Sequence, residues 1–267
     1  MIKKKIRRSL KKIFSFLIGK KQKNVIQIPI QLRFGNLLYF YLYCYRMKKS
    51  GKEVYILHTT TMDYWLKYFP LLNDFIVYSK DFKIYDNLDY FSSYYQNFGQ
   101  DFTLNELNDF IRQYIVTEEF FGNSKSENKT VVNIRRGDFY SDNTISPSQF
   151  DQVEYVRKAF EKNPSLSALP ILIISDDIAW CQQELSFIDK NNQVQFLSDN
   201  EPIDDFIAIS TAKNLIVTNS TFSYWGGYIS KFLNKENRVI APNFGATFYK
   251  NSIAIQLHPD WEIEKVV

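Results

Sequence analysis

Three short polar segments each follow directly after an apolar run. They read RRGD at 135–138, SDD at 175–177 and NST at 219–221. Arginine carries a fixed charge and a fork of donors that suits phosphate oxygens, whereas carboxylates accept hydrogen bonds from ribose hydroxyls or a base-edge amide. A helix that starts at the third segment would offer its free N–H groups to an anion. These groups together indicate a nucleotide diphosphate site without a P-loop.

Each segment also has an ordinary structural interpretation. Adjacent arginines commonly make surface ion pairs, Asp-Asp at a strand end is often a turn or helix cap, and Asn-Ser-Thr is a cap or a glycosylation acceptor. The tripeptide Arg136-Gly137-Asp138 would suit cell adhesion only in an exposed extracellular loop, which no other feature supports. The recurrence of such segments at three strand ends favours the ligand site.

The elements that must position these segments alternate between strand and helix. Strands are predicted at 130–134, 170–175, 194–198, 214–218 and 238–242. Helices are predicted from Ser146-Pro147 onward, with apolar residues at helical spacing from Phe150 to Phe160, and at 179–188, 203–212 and 222–233. This alternation predicts an α/β doubly wound domain, in which ligands bind beyond the carboxyl ends of the strands.

The amino-terminal half predicts a second α/β domain. Strands are expected at 25–30 and 53–57, separated by a turn at Gly35-Asn36 and a buried helix at 37–47. A helix at 103–116 begins with a capping box, and the polar stretch 122–129 is typical of a linker. We therefore predict an amino-terminal domain at 25–125 and a carboxyl-terminal domain at 126–267.

The first 24 residues differ from the rest in charge. They hold 10 of the 33 Lys and Arg and no Asp or Glu, which leaves 23 basic against 29 acidic residues, a net charge of −6, in the remainder. Apolar residues recur in this tail at helical spacing: Ile2, Ile6, Leu10, Ile13, Phe14 and Leu17. The pattern predicts a basic amphipathic helix on an anionic membrane surface, with a disordered tail or a secretion signal as alternatives.

Charge and cysteine content bound the remaining function classes. A body with net −6 offers no broad basic surface, so we expect no nucleic-acid partner. Cys44 and Cys181 cannot form a disulfide framework, and with only His58 and His258 the chain shows no Cys/His metal cluster. A reduced, cytoplasmic setting is the expectation, at the inner face of the membrane if the tail binds lipid.

Several stretches resemble the α-1,2-fucosyltransferases, glycosyltransferase family 11. "VVNIRRGDFY" is similar to that family's His-x-Arg-Arg-Gly-Asp-Tyr segment, and "ILIISDDIAWCQQEL" to its Ser-Asp-Asp…Trp segment. "NSTFSYWGGYIS" resembles its Asn-Ser-Thr-Phe-Ser-Trp-Trp-Gly-Ala stretch, and "LRFGNLLYFYLYCYR" resembles its Gly-Leu-Gly-Asn-Gln-Met-Phe loop. Three departures stand out: Asn133 replaces the family's histidine, Tyr224 replaces a tryptophan, and the loop near Gly35 is altered to RFGNLL at 33–38, on the acceptor side.

The resemblance implies a GT-B architecture, with two Rossmann-like domains facing a cleft. It also implies metal-independent, inverting transfer of L-fucose from GDP-fucose to a galactoside hydroxyl, with the donor on the carboxyl-terminal domain and a glycan acceptor on the other. A tail that binds the membrane would bring the enzyme close to a lipid-linked acceptor. The nucleotide-sugar-binding positions carried over are Gly35, Asn36, Asn133, Arg135, Arg136, Asp176, Asp177, Ser220 and Thr221.

The roles follow the family's motifs. The two arginines would bind the pyrophosphate, one of the two aspartates would hold the nucleoside, and the helix start at Ser220 would face the phosphates. Arg135 would be catalytic because a fixed cation stabilises the charge that develops on the leaving group. Asp138 is the candidate general base, chosen by elimination, with a local salt bridge as its alternative. Two other functions stay open: a transferase for another nucleotide sugar, and a catalytically weak, membrane-associated GDP-binding protein.

Overall fold

The computed structural model describes residues 2–17, 19, 22–122, 128–140, 147–188, 194–198, 200–245 and 250–266. The chain divides into two compact units, Met1–Ile115 and Val116–Val267. The predicted linker at 122–129 lies largely outside the described residues. Within the described part of the chain, no helix is both long and apolar enough to cross a bilayer.

The first unit is built on a four-stranded parallel sheet. Its strands are β1 (Asn24–Gln27), β2 (Val54–Leu57), β3 (Ile76–Val77) and β4 (Asn87–Tyr90), in the order β3-β2-β1-β4. Its helices are α1 (Ile2–Leu17), α2 (Phe34–Lys49), α3 (Asp63–Leu66) and α4 (Leu104–Phe110), which continues into a π-helical turn at Ile111–Ile115. The two predicted strands are confirmed, and β3 and β4 are additions from a segment whose short elements carry no clear pattern.

The start of α2 corrects the prediction of a turn at Gly35-Asn36. The helix begins at Phe34, so both residues lie in its first turn. The cause is tertiary: the ring of Phe34 stacks on Trp65 at 3.8 Å and lies 5.6 Å from Phe69. Burial of Phe34 extends the helix toward β1 through contacts that the local sequence does not reveal.

The capping box of α4 is confirmed. The Thr103 hydroxyl accepts from the Glu106 N–H at 3.3 Å, and the Glu106 carboxylate accepts from the Thr103 N–H at 2.8 Å. A local motif of this kind depends on residues three positions apart, so the sequence alone is enough to predict it.

The second unit contains a six-stranded parallel sheet. Its strands are β5 (Thr130–Ile134), β6 (Ile171–Ser175), β7 (Val194–Leu197), β8 (Asn214–Val217), β9 (Arg238–Pro242) and β10 (Glu262–Glu264). Its helices are α5 (Glu118–Phe121), α6 (Gly137–Tyr140), α7 (Gln152–Lys162), α8 (Pro164–Ser167), α9 (Ile178–Glu184), α10 (Pro202–Ser210) and α11 (Thr221–Leu233). The five predicted strands are present within one residue at each end, and β10 adds a sixth.

The order of this sheet is β10-β9-β8-β5-β6-β7. The first three strands along the chain run outward from β5 in one direction, and the next three run outward from β8 in the other. This is the strand order of the doubly wound fold, and it places a topological switch point between β5 and β8. The α/β fold class is confirmed in both units.

The start of α7 lies later than predicted. Asp151 caps the helix by accepting from the Glu154 N–H at 2.9 Å, whereas Pro147 lies in a turn and Ser146 is outside the described residues. The Ser-Pro signal was therefore wrong as a helix start. The cap at Asp151 competes successfully because its carboxylate satisfies a free N–H of the first turn.

The two faces of β5 bury different kinds of side chain. Val132 and Ile134 point into an apolar cluster that includes Tyr155 and Val156 of α7. Because side chains alternate along a strand, Asn133 lies on the opposite face, toward α11. The central strand is thus buried on both sides, as its near-continuous apolar sequence predicts.

Tyr155 gives this core a polar anchor. Its hydroxyl is fully buried and lies 2.7 Å from the carbonyl of Val217 and 3.0 Å from that of Ile240. Burial raises the pKa of this phenol, so the hydroxyl keeps its proton and remains a donor. The side chain therefore ties α7 to β8 and β9.

We predict that Tyr155→Phe lowers the free energy of unfolding by about 1–3 kcal/mol, because two buried carbonyls lose their donor. Urea denaturation followed by circular dichroism measures the change. Tyr90→Phe is the matched control, because Tyr90 is 78% exposed. Equal unfolding midpoints for the two variants would contradict the anchoring role.

Candidate active site

The predicted polar segments meet at the carboxyl ends of β5, β6 and β8. Arg135 and Arg136 follow β5, Asp176 and Asp177 follow β6, and the segment 218–221 follows β8. These strands are neighbours in the sheet, on and beside the switch point. The structure thus brings the three segments to one edge, as the strand-end argument predicted.

Arg135 is held by groups from three different elements. Its guanidinium Nη1 lies 2.6 Å from Asp176 Oδ2, and its N–H donates to the Thr218 hydroxyl at 3.0 Å. Its carbonyl accepts from Gln152 Nε2 at 2.9 Å. The side chain remains 22% exposed, so the cation is fixed in direction and still open to solvent.

Arg136 has a different environment. Its guanidinium lies between two rings, 4.2 Å from the centroid of Tyr140 and 3.9 Å from that of Trp180. Its Nε donates to Asp177 Oδ2 at 3.2 Å, and its N–H donates to Asp176 Oδ1 at 2.8 Å. Such a clamp stabilises the loop, and it is unlike the freely presented arginine of an adhesion loop. The pyrophosphate role of Arg136 stays a prediction.

Asp177 also has a structural task. Its Oδ1 accepts from the Trp180 N–H at 3.1 Å and so caps α9, while Oδ2 pairs with Arg136. The ordinary interpretation of Asp-Asp at a strand end as a helix cap is present here. The nucleoside contact predicted for Asp176 or Asp177 therefore stays a prediction.

Gly137 permits the close approach of the first ion pair to the backbone. A Cβ at this position would lie 2.5 Å from Asp176 Oδ2 and 2.9 Å from Arg135 Nη2. Its φ of +26° is also one that residues with a side chain rarely adopt. The glycine of RRGD is thus explained by space for the ion pair. The side chain of Asp138 lies outside the described part of the chain.

Asn133 uses both ends of its amide inside the protein. Its Nδ2 donates to the carbonyl of Ile174 at 3.1 Å, and its Oδ1 accepts from the hydroxyl of Ser223. The residue is only 6% exposed and joins β5, β6 and α11. These contacts give Asn133 a positioning role for the start of α11, and its predicted contact with the nucleotide sugar stays a prediction.

The start of α11 retains features of an anion site. Ser220 is the N-cap residue and makes no side-chain hydrogen bond to the first turn, and Thr221 is half-buried beside it. The preceding Asn219 donates from Nδ2 to the carbonyls of Ser148 and Gly245, at 2.8 and 2.9 Å. These two acceptors fix the orientation of the amide.

That orientation leaves a buried acceptor. Asn219 Oδ1 is buried and has no partner among the described residues. A buried acceptor without a partner is costly, so it is a natural position for a hydroxyl or N–H of a ligand. Sequence reasoning treated Asn219 only as part of a helix cap.

A further carboxylate near the site was missed from the sequence. Burial raises the pKa of Asp205 to about 6, with additional contributions from the charges of Asp204 and Asp176. The Asn200 amide donates to Asp205 Oδ1 at 2.6 Å, which opposes the shift. The signal in the sequence was the acidic pair at the start of α10. A carboxyl group whose pKa is raised by burial and by neighbouring carboxylates is often found at functional sites.

We predict that Asp205→Asn changes the pH dependence of stability. The folded protein binds this proton more tightly than the unfolded chain, so the group makes the free energy of unfolding fall as the pH rises from about 4 to about 6. The variant lacks this contribution and should gain stability relative to the wild type at pH 7 but not at pH 4. Urea unfolding midpoints at both pH values measure it.

Glu236→Gln removes an exposed carboxylate from the same unit and serves as the control for a change of net charge. The difference between variant and wild type should be the same at both pH values for this control. The same result for Asp205→Asn would show that its pKa is not raised in the folded protein.

The first unit has its own groups at the carboxyl ends of its strands. Gly35 and Asn36 lie there at the start of α2, and Asn36 Oδ1 accepts from Gln96 Nε2 at 2.7 Å. His58 follows β2, where its Nε2 lies 2.7 Å from Asp63 Oδ1 and its ring stacks on Tyr78 at 4.5 Å. This His–Asp pair was not predicted, although a histidine directly after a strand was the available signal.

Among the residues that the structure describes, no three His, Cys, Asp or Glu side chains form a group suited to a metal ion. The expectation of metal-independent chemistry stays a prediction.

The family to which this chain belongs follows from its sequence. The sequence profile of "Glycosyl transferase family 11" matches residues 48–265. The chain belongs to glycosyl transferase family 11. The match spans all three segments of the site, and it begins after Gly35 and Asn36, so the assignment of those two residues to the family's loop lies outside it.

Two curated Escherichia coli proteins share part of this sequence. An "Alpha-1,2-colitosyltransferase" is 29% identical over 114 residues, which are 39% of this chain and 37% of that protein. The "O-antigen biosynthesis glycosyltransferase WbnK" is 28% identical over 120 residues, 42% of this chain and 37% of that protein. The similarity thus spans little more than a third of either relative.

Two solved structures match this chain at low sequence identity. A point mutant of Arabidopsis thaliana FUT1 in complex with GDP has a TM-score of 0.43 at 13% identity, covering 79% of this chain and 69% of that chain. The E. coli heptosyltransferase WaaC with ADP has a TM-score of 0.47 at 7% identity, covering 90% and 93%. The family 11 assignment rests on the sequence match.

Proposed function

We propose that this family 11 member is an inverting glycosyltransferase that transfers L-fucose from GDP-fucose to a galactoside hydroxyl in α-1,2 linkage. The observation that carries the proposal is Arg135, a partly exposed cation fixed at the switch point of a nucleotide-binding type of sheet. Family membership supports glycosyl transfer in general, whereas donor and linkage rest on the resemblance of the motifs.

The chemistry fits these groups. An acceptor hydroxyl attacks the anomeric carbon while the bond to the diphosphate breaks, and negative charge develops on the leaving oxygen. Arg135 would stabilise that charge, with Asp176 orienting its guanidinium through the 2.6 Å ion pair. The start of α11 at Ser220 and Thr221 would receive the phosphates, and Asn219 Oδ1 would accept from a donor group of the ligand.

We propose that the reaction needs no metal cofactor, because fixed cations and helix N–H groups would stabilise the negative charge on the leaving group. Asp138 remains the proposed general base on the ground of its place in the motif. Asp176 contacts both arginines of the motif: it pairs with the guanidinium of Arg135 and accepts from the backbone N–H of Arg136.

A second donor sugar has a specific observation in its favour. One of the two E. coli relatives carries the name of a colitosyltransferase. Colitosyl transfer is therefore the second candidate, followed by transfer from another nucleotide sugar. A catalytically weak GDP-binding protein is the candidate outside the enzyme class, motivated by Asn133 in place of the family's histidine.

The proposed setting is the assembly of a bacterial surface polysaccharide. The name of the second relative places that protein in O-antigen biosynthesis. We propose a glycan acceptor that is lipid-linked, reached at the inner face of the membrane through peripheral contact of residues 1–24. The buried, free thiols of Cys44 and Cys181 are compatible with a reducing compartment.

We predict that Arg135→Ala lowers kcat by a factor of about 10²–10³, because a donor aimed at the developing charge is lost. Arg135→Lys keeps the charge without the forked set of donors, so its kcat should lie between those of the wild type and of Arg135→Ala. Steady-state transfer assays with GDP-fucose measure both. Arg112→Ala is the control, because Arg112 is an arginine of the other unit with a side chain that is 61% exposed. Near-normal turnover in Arg135→Ala with an intact fold would remove the central support of the proposal.

A donor screen tests the function itself. The purified full chain is assayed with GDP-fucose, GDP-mannose and UDP-galactose on a galactoside acceptor, each with and without EDTA. The proposal expects transfer from GDP-fucose alone, unaffected by EDTA, and an α-1,2 linkage by NMR. Transfer from GDP-mannose or UDP-galactose would favour another nucleotide sugar as the donor, and a nucleotide-linked colitose added to the screen tests the second candidate. Tight GDP binding without transfer or hydrolysis would favour the binding protein.

A further inference from the structure

Helix α1 lies against the first unit through its polar side. Arg8 pairs with Asp89 of β4, and Lys11 Nζ donates to the carbonyl of Asp86. Ser15, on the same side, is only 4% exposed. The described contacts thus hold the helix on the body by charged and polar groups, where a helix of a globular protein normally uses its apolar stripe.

The surface of the first unit that contacts α1 is held together by hydrogen bonds around Asp86. Asp86 is 1% exposed, and its carboxylate accepts from the N–H groups of Lys23 at 3.0 Å and Lys83 at 2.8 Å. Gln22 donates to the carbonyl of Tyr85 at 2.7 Å, and the Tyr85 ring lies 6.4 Å from that of Phe14. These bonds tie the chain that follows α1 to the loop beneath it.

Four apolar residues of α1 lie on the opposite side. Each residue advances an α-helix by about 100°, so positions 8, 11 and 15 fall within about 60° of one another and positions 6, 10, 13 and 17 fall about half a turn away. We name these four residues the outer stripe: Ile6, Leu10, Ile13 and Leu17. Their exposed fractions are 55%, 62%, 57% and 74%.

A continuous exposed stripe of this kind requires a partner. Full burial of one such side chain is worth about 1.5–3 kcal/mol, so leaving four in water has a substantial cost. Contiguous apolar patches on soluble proteins typically mark a contact with another protein or with a membrane. The charge around the stripe distinguishes between the two.

We propose that the outer stripe of α1 inserts into the surface of an anionic lipid bilayer while the polar side stays bound to the first unit. The tail of residues 1–24 contains ten Lys and Arg and no acid, and eight basic residues remain when Arg8 and Lys11, which contact the body, are set aside. Each basic residue near an anionic membrane contributes about 1 kcal/mol. A second copy of this chain would bring two such basic surfaces together, which electrostatic repulsion opposes.

This inference rests on the membrane contact of residues 1–24 in the proposed function and deepens it, because it specifies which face of α1 meets lipid and holds for any donor sugar. With 16 residues, α1 is about 24 Å long and lies in the interface without spanning the bilayer. Its attachment through Arg8 and Lys11 makes it a fixed part of the unit, so the membrane plane would be set relative to the sheet of that unit.

Vesicle sedimentation with the full chain tests the proposal. Vesicles of phosphatidylcholine alone are compared with vesicles that also contain phosphatidylglycerol. We expect at least tenfold stronger partitioning onto the anionic vesicles, and at least a tenfold loss in the double variant Leu10→Ser with Ile13→Ser. The control is Leu71→Ser with Ile263→Ser, which removes the same two residue types from exposed positions elsewhere.

Three outcomes would overturn the proposal: equal partitioning onto both kinds of vesicle, unchanged binding of the Leu10/Ile13 variant, and a dimer in sedimentation velocity that this variant abolishes. The dimer would identify a second copy as the occupant. Circular dichroism confirms that both double variants fold. The readout is lipid binding, so its failure is separate from a failure of the donor assays.

Spin labels resolve the orientation. Both native cysteines are buried, so a single exposed cysteine at Ile13→Cys or at Lys12→Cys can be labelled selectively. Position 13 belongs to the outer stripe, and the exposed position 12 lies about 100° around the helix from it. With anionic vesicles, the label at 13 should become accessible to oxygen and protected from a water-soluble nickel chelate, while the label at 12 stays in water. The reverse pattern would contradict the proposed orientation.

Discussion

The site depends on one hydroxyl at the switch point between β5 and β8. Thr218 is fully buried, and its Oγ1 accepts from the N–H of Arg135 at 3.0 Å and donates to the carbonyl of Asn133 at 3.3 Å. It thus joins the N–H of the first residue after β5 to the first residue after β8, directly beside the switch point. The direction in which Arg135 leaves the sheet follows from this bond.

The two arginines that end a buried strand are stable there because the neighbouring strand ends in two carboxylates. Each cation has a carboxylate partner, yet the two pairs differ in kind. The side chain of Arg135 is partly exposed and its orientation is fixed by the ion pair with Asp176, whereas the side chain of Arg136 is enclosed by two rings and a carboxylate. One motif therefore combines a group suited to meet an anion with a group that fixes the loop. Gly137 keeps the space that the first pair occupies.

Asn133 shows how a departure from the family's motif is accommodated. Its amide donates to β6 and accepts from α11, so the strand remains joined to the helix start that would receive the phosphates. Asparagine supplies both hydrogen bonds without titrating near neutral pH, unlike a histidine. Membership of family 11 and the resemblance of the motifs agree on the carboxyl-terminal unit, while the first unit carries the His58–Asp63 pair and the exposed helix α1, which the motifs do not describe.

The alternation of strands and helices in the second unit could be predicted from the sequence. Buried parallel strands are short apolar runs, and the segments between them have helical spacing. The capping box at Thr103 and the polar residues at the strand ends could also be predicted from the sequence, because each depends on residues close together along the chain. The start of α2 at Phe34 was not, because contacts with Trp65 and Phe69 decide it.

The sequence by itself determined the α/β class, strands β5 to β9 of the second unit and the polar groups that follow β5, β6 and β8. The tertiary structure alone decided which carboxylate pairs with which arginine, that Asp205 lies near Asp176, and that α1 turns its apolar stripe outward. The physical reason is distance along the chain. Arg136 meets Asp176 across 40 residues and Arg8 meets Asp89 across 81, and such contacts form only when the whole sheet has placed them.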